Sequence, residues 1–139
     1  MQAVIDSAPV SARKVSAAHI VGALVVLFLL FDSAVKLLML PAGVEATTNL
    51  GYPVSVVFAL GLVELACIVA YVVPRTSVLG AILLTGYLGG AIATHVRVGS
   101  PPFTHVLFPM YVAAAVWGSL YLRDPRVRAL IAPRRQLAA

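Results

Sequence analysis

Charge is scarce in this chain and cysteine is almost absent. Of 139 residues only 11% are charged, and 61% are hydrophobic, whereas a water-soluble domain carries roughly 25% charged and about 45–50% apolar residues. That leaves too little polar surface to cover a globule in water. A mean hydropathy of +1.00 points to lipid as the natural solvent. The one cysteine, Cys67, lies inside an apolar run, which excludes an intrachain disulfide and a Cys-x-x-Cys redox pair. The chain also lacks a glycine-rich phosphate loop, a dinucleotide fingerprint and a serine nucleophile elbow, so no intrinsic cofactor is expected and nothing in the pattern declares an enzyme. Ten basic residues against five acidic ones give a net charge of +5. The basic residues cluster at the ends of apolar segments and form no stripe along one face, which argues against nucleic acid and for anionic lipid head groups.

What the chain has in abundance is apolar runs. A membrane-crossing helix needs about 20 apolar residues in succession, because the hydrocarbon core is about 30 Å thick. Four segments qualify, at about residues 17–40, 53–73, 77–98 and 104–122, so the fold expected is all-α, an integral membrane four-helix bundle forming a single domain over 1–139. Arg13 and Lys14 before the first run look like the start of a signal peptide. No small-x-small cleavage site follows, and the run continues through Asp32 and Lys36. Pro41, Gly43 and Asn49-Leu50-Gly51-Tyr52-Pro53 mark the first connection, a loop suited to lie along the interface as a lid. Pro74-Arg75-Thr76-Ser77 is a tight turn in which Thr76 or Ser77 is placed to cap the third span. Gly99-Ser100-Pro101-Pro102 is the third connection, and Pro109 falls in or just beyond the first turn of the last span.

Lysine and arginine asymmetry sets the orientation. Arg13, Lys14, Arg75, Arg123, Arg126, Arg128, Arg134 and Arg135 share one side of a four-span drawing, and only Arg97 falls on the other. Both termini are therefore expected in the cytoplasm, N-in and C-in, with residues 123–139 as a basic tail against anionic lipid. Trp117, Tyr121, Tyr71 and Tyr52 fall near the interfaces as candidate anchors.

Charges inside the spans cost at least ~2.5–3.5 kcal/mol each on insertion scales, so they persist where they are paired, wetted or used. Asp32 and Lys36 stand four apart on one face of the first span, and Glu64 falls near the midplane of the second. In the third span Tyr87, Ala91 and His95 recur every four residues, and Arg97 follows at the outer end. Asp32, Lys36, Glu64, Tyr87, His95 and Arg97 are thus the candidate ligand-binding residues, at the midplane or in the outer half, with Lys36 or Arg97 as the partner of Glu64. The bland alternative is that these charges only fix helix register, or that the two cations reach out to the interface. Gly86, Gly90 and Thr94 form a small-x-x-x-small pattern, read as close packing inside the bundle in preference to a homo-oligomer face. His19 and His95 lie at opposite ends. His95 and His105 flank one connection and can meet, but two histidines without a cysteine do not make a metal or haem site, so no metal is expected.

Taken in order, Phe31-Asp32-Ser33-Ala34-Val35-Lys36-Leu37, Leu50-Gly51-Tyr52-Pro53, Gly61-Leu62-Val63-Glu64-Leu65, Pro74-Arg75-Thr76, Thr85-Gly86-Tyr87-Leu88-Gly89-Gly90-Ala91 through His95, and Leu122-Arg123-Asp124-Pro125-Arg126 resemble the DoxX-like family over about residues 20–130. The resemblance implies a four-helix protein of the bacterial inner membrane. It also implies a link to quinone-coupled redox chemistry, because the family takes its name from small membrane subunits of an archaeal thiosulfate:quinone oxidoreductase. Two roles follow as expectations. One is an accessory subunit whose outer-half pocket holds a quinone or similar lipophilic molecule for a partner oxidoreductase. The other is a non-catalytic scaffold or assembly factor for membrane proteins. A transporter is less well supported, since the sequence has no inverted repeat and its charges populate one half of the membrane.

Overall fold

The computed structural model describes residues 11–131. Among these residues six α-helices follow one another: α1 (Ala12–Leu37), α2 (Pro41–Asn49), α3 (Val57–Val72), α4 (Ser77–Arg97), α5 (Phe108–Arg123) and α6 (Pro125–Ile131). A 3-10 turn, Val54–Val56, leads into α3, and a π-helical turn, Pro102–Val106, leads into α5. With these turns included, four helical spans of 26, 19, 21 and 22 residues are long and apolar enough to cross a membrane. At 1.5 Å per residue even the shortest reaches roughly 28 Å, close to the hydrocarbon thickness.

The four spans form a closed ring in the order α1, α3, α4, α5, each packed on the next and α5 on α1. Large apolar side chains such as Leu24, Leu27, Phe31, Phe58, Leu62 and Ile82 point outward, while Leu29, Ile68, Tyr71, Leu84, Val116 and Leu120 fill the interior. An apolar exterior of this kind is matched to lipid. Helices in lipid gain little from hiding apolar surface, so they associate through close backbone approach and hydrogen bonds. Both are present. A Cβ on Gly22 would lie 2.5 Å from the Ser119 hydroxyl, one on Gly61 would lie 3.1 Å from the Ser33 carbonyl, and one on Gly80 would enter the Tyr71 backbone. Ser33 donates to the Gly61 carbonyl at 2.9 Å, Ser119 to the Ala18 carbonyl at 2.8 Å, and Tyr71 to the Val116 carbonyl at 3.1 Å.

The first span runs 12–37 and not 17–40: Pro41 forbids helical geometry at the residue before it, and the chain turns through Met39 at φ 51°. The first connection is not a loop but contains α2, opened by Pro41 at its first position, where a missing N–H costs nothing. Thr76 occupies the N-cap position of α4 without a capping bond, and its hydroxyl donates back to the Ala70 carbonyl at 2.8 Å, closing α3. Tyr71 is a buried core residue and not an interface anchor. Gly86, Gly89 and Gly90 pack against nothing: a Cβ at any of them would meet no atom within 4 Å. The start of the basic tail is α6, where Asp124 accepts the Arg126 backbone N–H at 2.9 Å, Pro125 opens the helix and Val127 is buried; residues 132–139 lie outside the described part. Pro109 sits in the first turn of α5.

Candidate functional site

Glu64 projects from α3 into the bundle and is fully buried, at 0% exposure. Gly61, one turn before it, lets α1 come so near that the Lys36 Cβ and the Ser33 carbonyl lie against the α3 backbone. That approach sets the ammonium of Lys36 beside the carboxylate, with Nζ donating to Glu64 Oε2 at 2.9 Å. Lys36 also pairs with Asp32, one turn back on α1. Its third bond goes to the Tyr87 hydroxyl at 3.3 Å, and that hydroxyl in turn donates to Glu64 Oε2 at 3.1 Å. One ammonium, two carboxylates and a phenol from α1, α3 and α4 thus form a single network.

Donors and acceptors do not balance in it. An ammonium has three N–H donors, and those of Lys36 go to Asp32, Glu64 and Tyr87. Glu64 Oε1 is buried and accepts nothing among the described residues. Asp32 keeps 44% of its side-chain surface open, in contrast to 13% for Lys36. A buried acceptor without a donor costs about 1–3 kcal/mol, and more when it is charged. The cluster therefore offers acceptor capacity and little donor capacity.

The network opens on a cavity of about 780 Å³ in the half of the bundle away from the terminal arginines. Phe28, Leu29, Leu60, Leu88, Phe108 and Val112 make its apolar wall, and Asp32, Lys36, Glu64, Tyr87 and His95 its polar face. Gly86 and Gly90 line it too, so their missing side chains create room and do not join helices. Ala46, Thr47, Asn49 and Leu50, from α2 and its C-terminal end, line it as well. Phe28 of α1 and Phe108 of α5 meet edge to face at 5.4 Å between ring centres.

Of the six sequence candidates, Asp32, Lys36, Glu64 and Tyr87 share the network. His95 lines the same cavity, bonded to Ser100 at 3.0 Å, with its ring 5.6 Å from that of His105. Among the described residues no group of three His, Cys, Asp or Glu side chains is arranged for a metal ion. Arg97 does not join: it is exposed and donates to the Leu50 carbonyl at 2.8 Å, which leaves Lys36 as the cation beside Glu64. Sequence reasoning missed Phe28, Phe108 and the pair Tyr52–Thr94, whose hydroxyls lie 2.8 Å apart at the cavity edge. Tyr52 offered a signal, since it stands next to Pro53 in the second quoted motif. The two phenylalanines offered none amid so many apolar residues.

Four apolar helices closed around a hydrogen-bonded set of charges define a small multi-pass membrane bundle with a polar interior site. The family model described as the DoxX-like family matches residues 20–119, and the chain belongs to that family. The matched stretch includes the whole network and ends before α6. A search of curated proteins and a search of solved structures gave no match.

Proposed function

We propose that the protein binds a lipophilic molecule with a hydrogen-bond-donating head, of the quinol or phenol type, in the cavity between α2 and the Glu64 network. One observation carries this reading: an apolar-walled space of about 780 Å³ converges on a carboxylate whose Oε1 has no donor among the described residues. The volume falls within the ~300–1,000 Å³ range of small-molecule sites. A ligand hydroxyl would meet the open face of Asp32 directly, and Glu64 Oε1 after a small shift of the side chains that cover it; either carboxylate could then take its proton. Lys36 holds the two carboxylates in place in this reading, its own donors being occupied. The role that follows is an accessory subunit in the bacterial inner membrane, N-in and C-in, presenting a quinol-type molecule to a partner oxidoreductase. The chemistry of oxidation belongs to that partner.

The alternative is a scaffold in which the same charges only join helices. It is favoured by the fact that one side chain, Lys36, bonds α1 to both α3 and α4. Extraction and mass analysis of lipophilic molecules that copurify with the protein in mild detergent separates the two. A near-stoichiometric quinone or phenolic lipid supports the ligand reading, and an empty protein that instead copurifies with another membrane protein supports the scaffold.

A further inference from the structure

We infer that a second cleft, at the opposite, basic end of the bundle, binds a phosphate group, with Arg123 as its principal ligand. The cleft has a volume of about 380 Å³ and lies between His19 of α1, Tyr71 of α3, Ser77 of α4, and Arg123, Asp124 and Arg126 at the α5–α6 corner. The Arg123 guanidinium lies over the Tyr71 ring, 4.9 Å from its centre. That stack orients the planar group, and the ring is itself tethered by the Tyr71 hydroxyl bond to Val116. Nε and Nη2 of Arg123 are buried and have no acceptor among the described residues. These two nitrogens share one edge of the guanidinium, the edge that meets two oxygens of a phosphate in a bidentate pair.

The neighbouring carboxylate does not serve them. Asp124 is turned toward α6, where it accepts the Arg126 backbone N–H at 2.9 Å and its Nε at 3.4 Å. Arginine stays charged under all ordinary conditions, so an anion entering the cleft gains a bidentate partner once a small shift of the guanidinium uncovers this edge. Arg126, with 68% of its side chain exposed, stands at the mouth as a second cation. The cleft sits at the end of the spans, at the depth of lipid head groups, where basic pockets between helices take anionic lipid. Both arginines lie beyond the stretch matched by the family model.

The test uses the full chain, delipidated in a phosphate-free detergent, with thermal melting and calorimetric titration as readouts. The probes are dihexanoyl phosphatidylglycerol and inorganic phosphate. The wild type should bind phosphatidylglycerol saturably and melt higher with it. Arg123→Met should melt no lower than the wild type without the probe, because a burdened charge is gone, and should lose at least about tenfold in affinity. Arg13→Gln, which removes a charge from the same end outside the cleft, should bind as the wild type does. If inorganic phosphate competes, the site accepts free phosphate; if it does not, the lipid head group is the ligand; either result upholds the site. Absence of saturable binding by both probes, undiminished binding in Arg123→Met, or an equal loss in Arg13→Gln would overturn it. Should Arg123→Met fail to fold, Arg123→Lys keeps the charge without the fork, and undiminished affinity there would equally overturn it.

Discussion

At the cavity end, Lys36 directs all three of its donors at groups from three helices, and the carboxylates are left with spare acceptors. At the basic end the imbalance is reversed, for Arg123 has buried donors and the nearby carboxylate is engaged elsewhere. The same cost, an unsatisfied polar group taken out of water, thus falls at both ends with opposite chemistry, spare acceptors at one and spare donors at the other. Apolar packing distinguishes neither end, since both lie among the same outward-facing aliphatic side chains.

The largest expected effect comes from breaking the balance at the cavity end. Lys36→Met should strand two facing carboxylates and cost about 3–5 kcal/mol, read as a lowered melting temperature in detergent. The double variant Lys36→Met with Glu64→Gln should recover much of that loss, and additive losses would remove the coupling. Next come the glycines, which contrast a packed position with an open one on the same helix. Gly80→Ala drives a methyl into the Tyr71 backbone and should cost about 1–3 kcal/mol. Gly86→Ala meets no neighbour and should be neutral or mildly stabilising, by up to about 1 kcal/mol, through better helix propensity. Equal losses at the two positions would contradict the assignment of Gly86 to the cavity wall. The smallest effect is expected at Arg97, where Arg97→Gln loses an exposed bond to a carbonyl, about 1 kcal/mol or less. Its double-mutant coupling to Glu64 should vanish within error, and a measurable coupling would restore Arg97 to the site.

The spans and most of the site were legible in the sequence because both follow from distance along a helix. Length alone gave four crossings, and depth placed Asp32, Lys36 and Glu64 at the midplane or on one side of it, with Tyr87 on the stripe that leads to His95. Direction around the helix was harder. Arg97 follows His95 by two residues, or roughly 200° of rotation, so it turns away from the stripe that Tyr87, Ala91 and His95 share. The same rotational question decides the glycines. Gly61 and Gly80, single and without a repeat, face neighbouring helices, whereas the patterned Gly86 and Gly90 face open space. Helix α2 was hidden because nine residues with three glycine, proline or asparagine positions carry no periodic apolar face, and its helicity depends on its proline start and on Gly43 packing against Val35. The orphaned edge of Arg123 depends on where Asp124 points, which no spacing rule supplies.

A Glu64 that meets a ligand does more than join helices, and the two roles part on binding. The most direct measurement is the binding of a short-chain ubiquinol or menaquinol analogue to the wild type and to Glu64→Gln in the same detergent, alongside the melting temperature of each. The amide keeps the shape and one acceptor oxygen of the carboxylate but cannot take a proton. The account predicts saturable binding by the wild type, and a variant that remains folded yet binds at least about tenfold more weakly, the loss of one charge-assisted hydrogen bond. Normal binding by a folded Glu64→Gln, or no binding by the wild type, would contradict it.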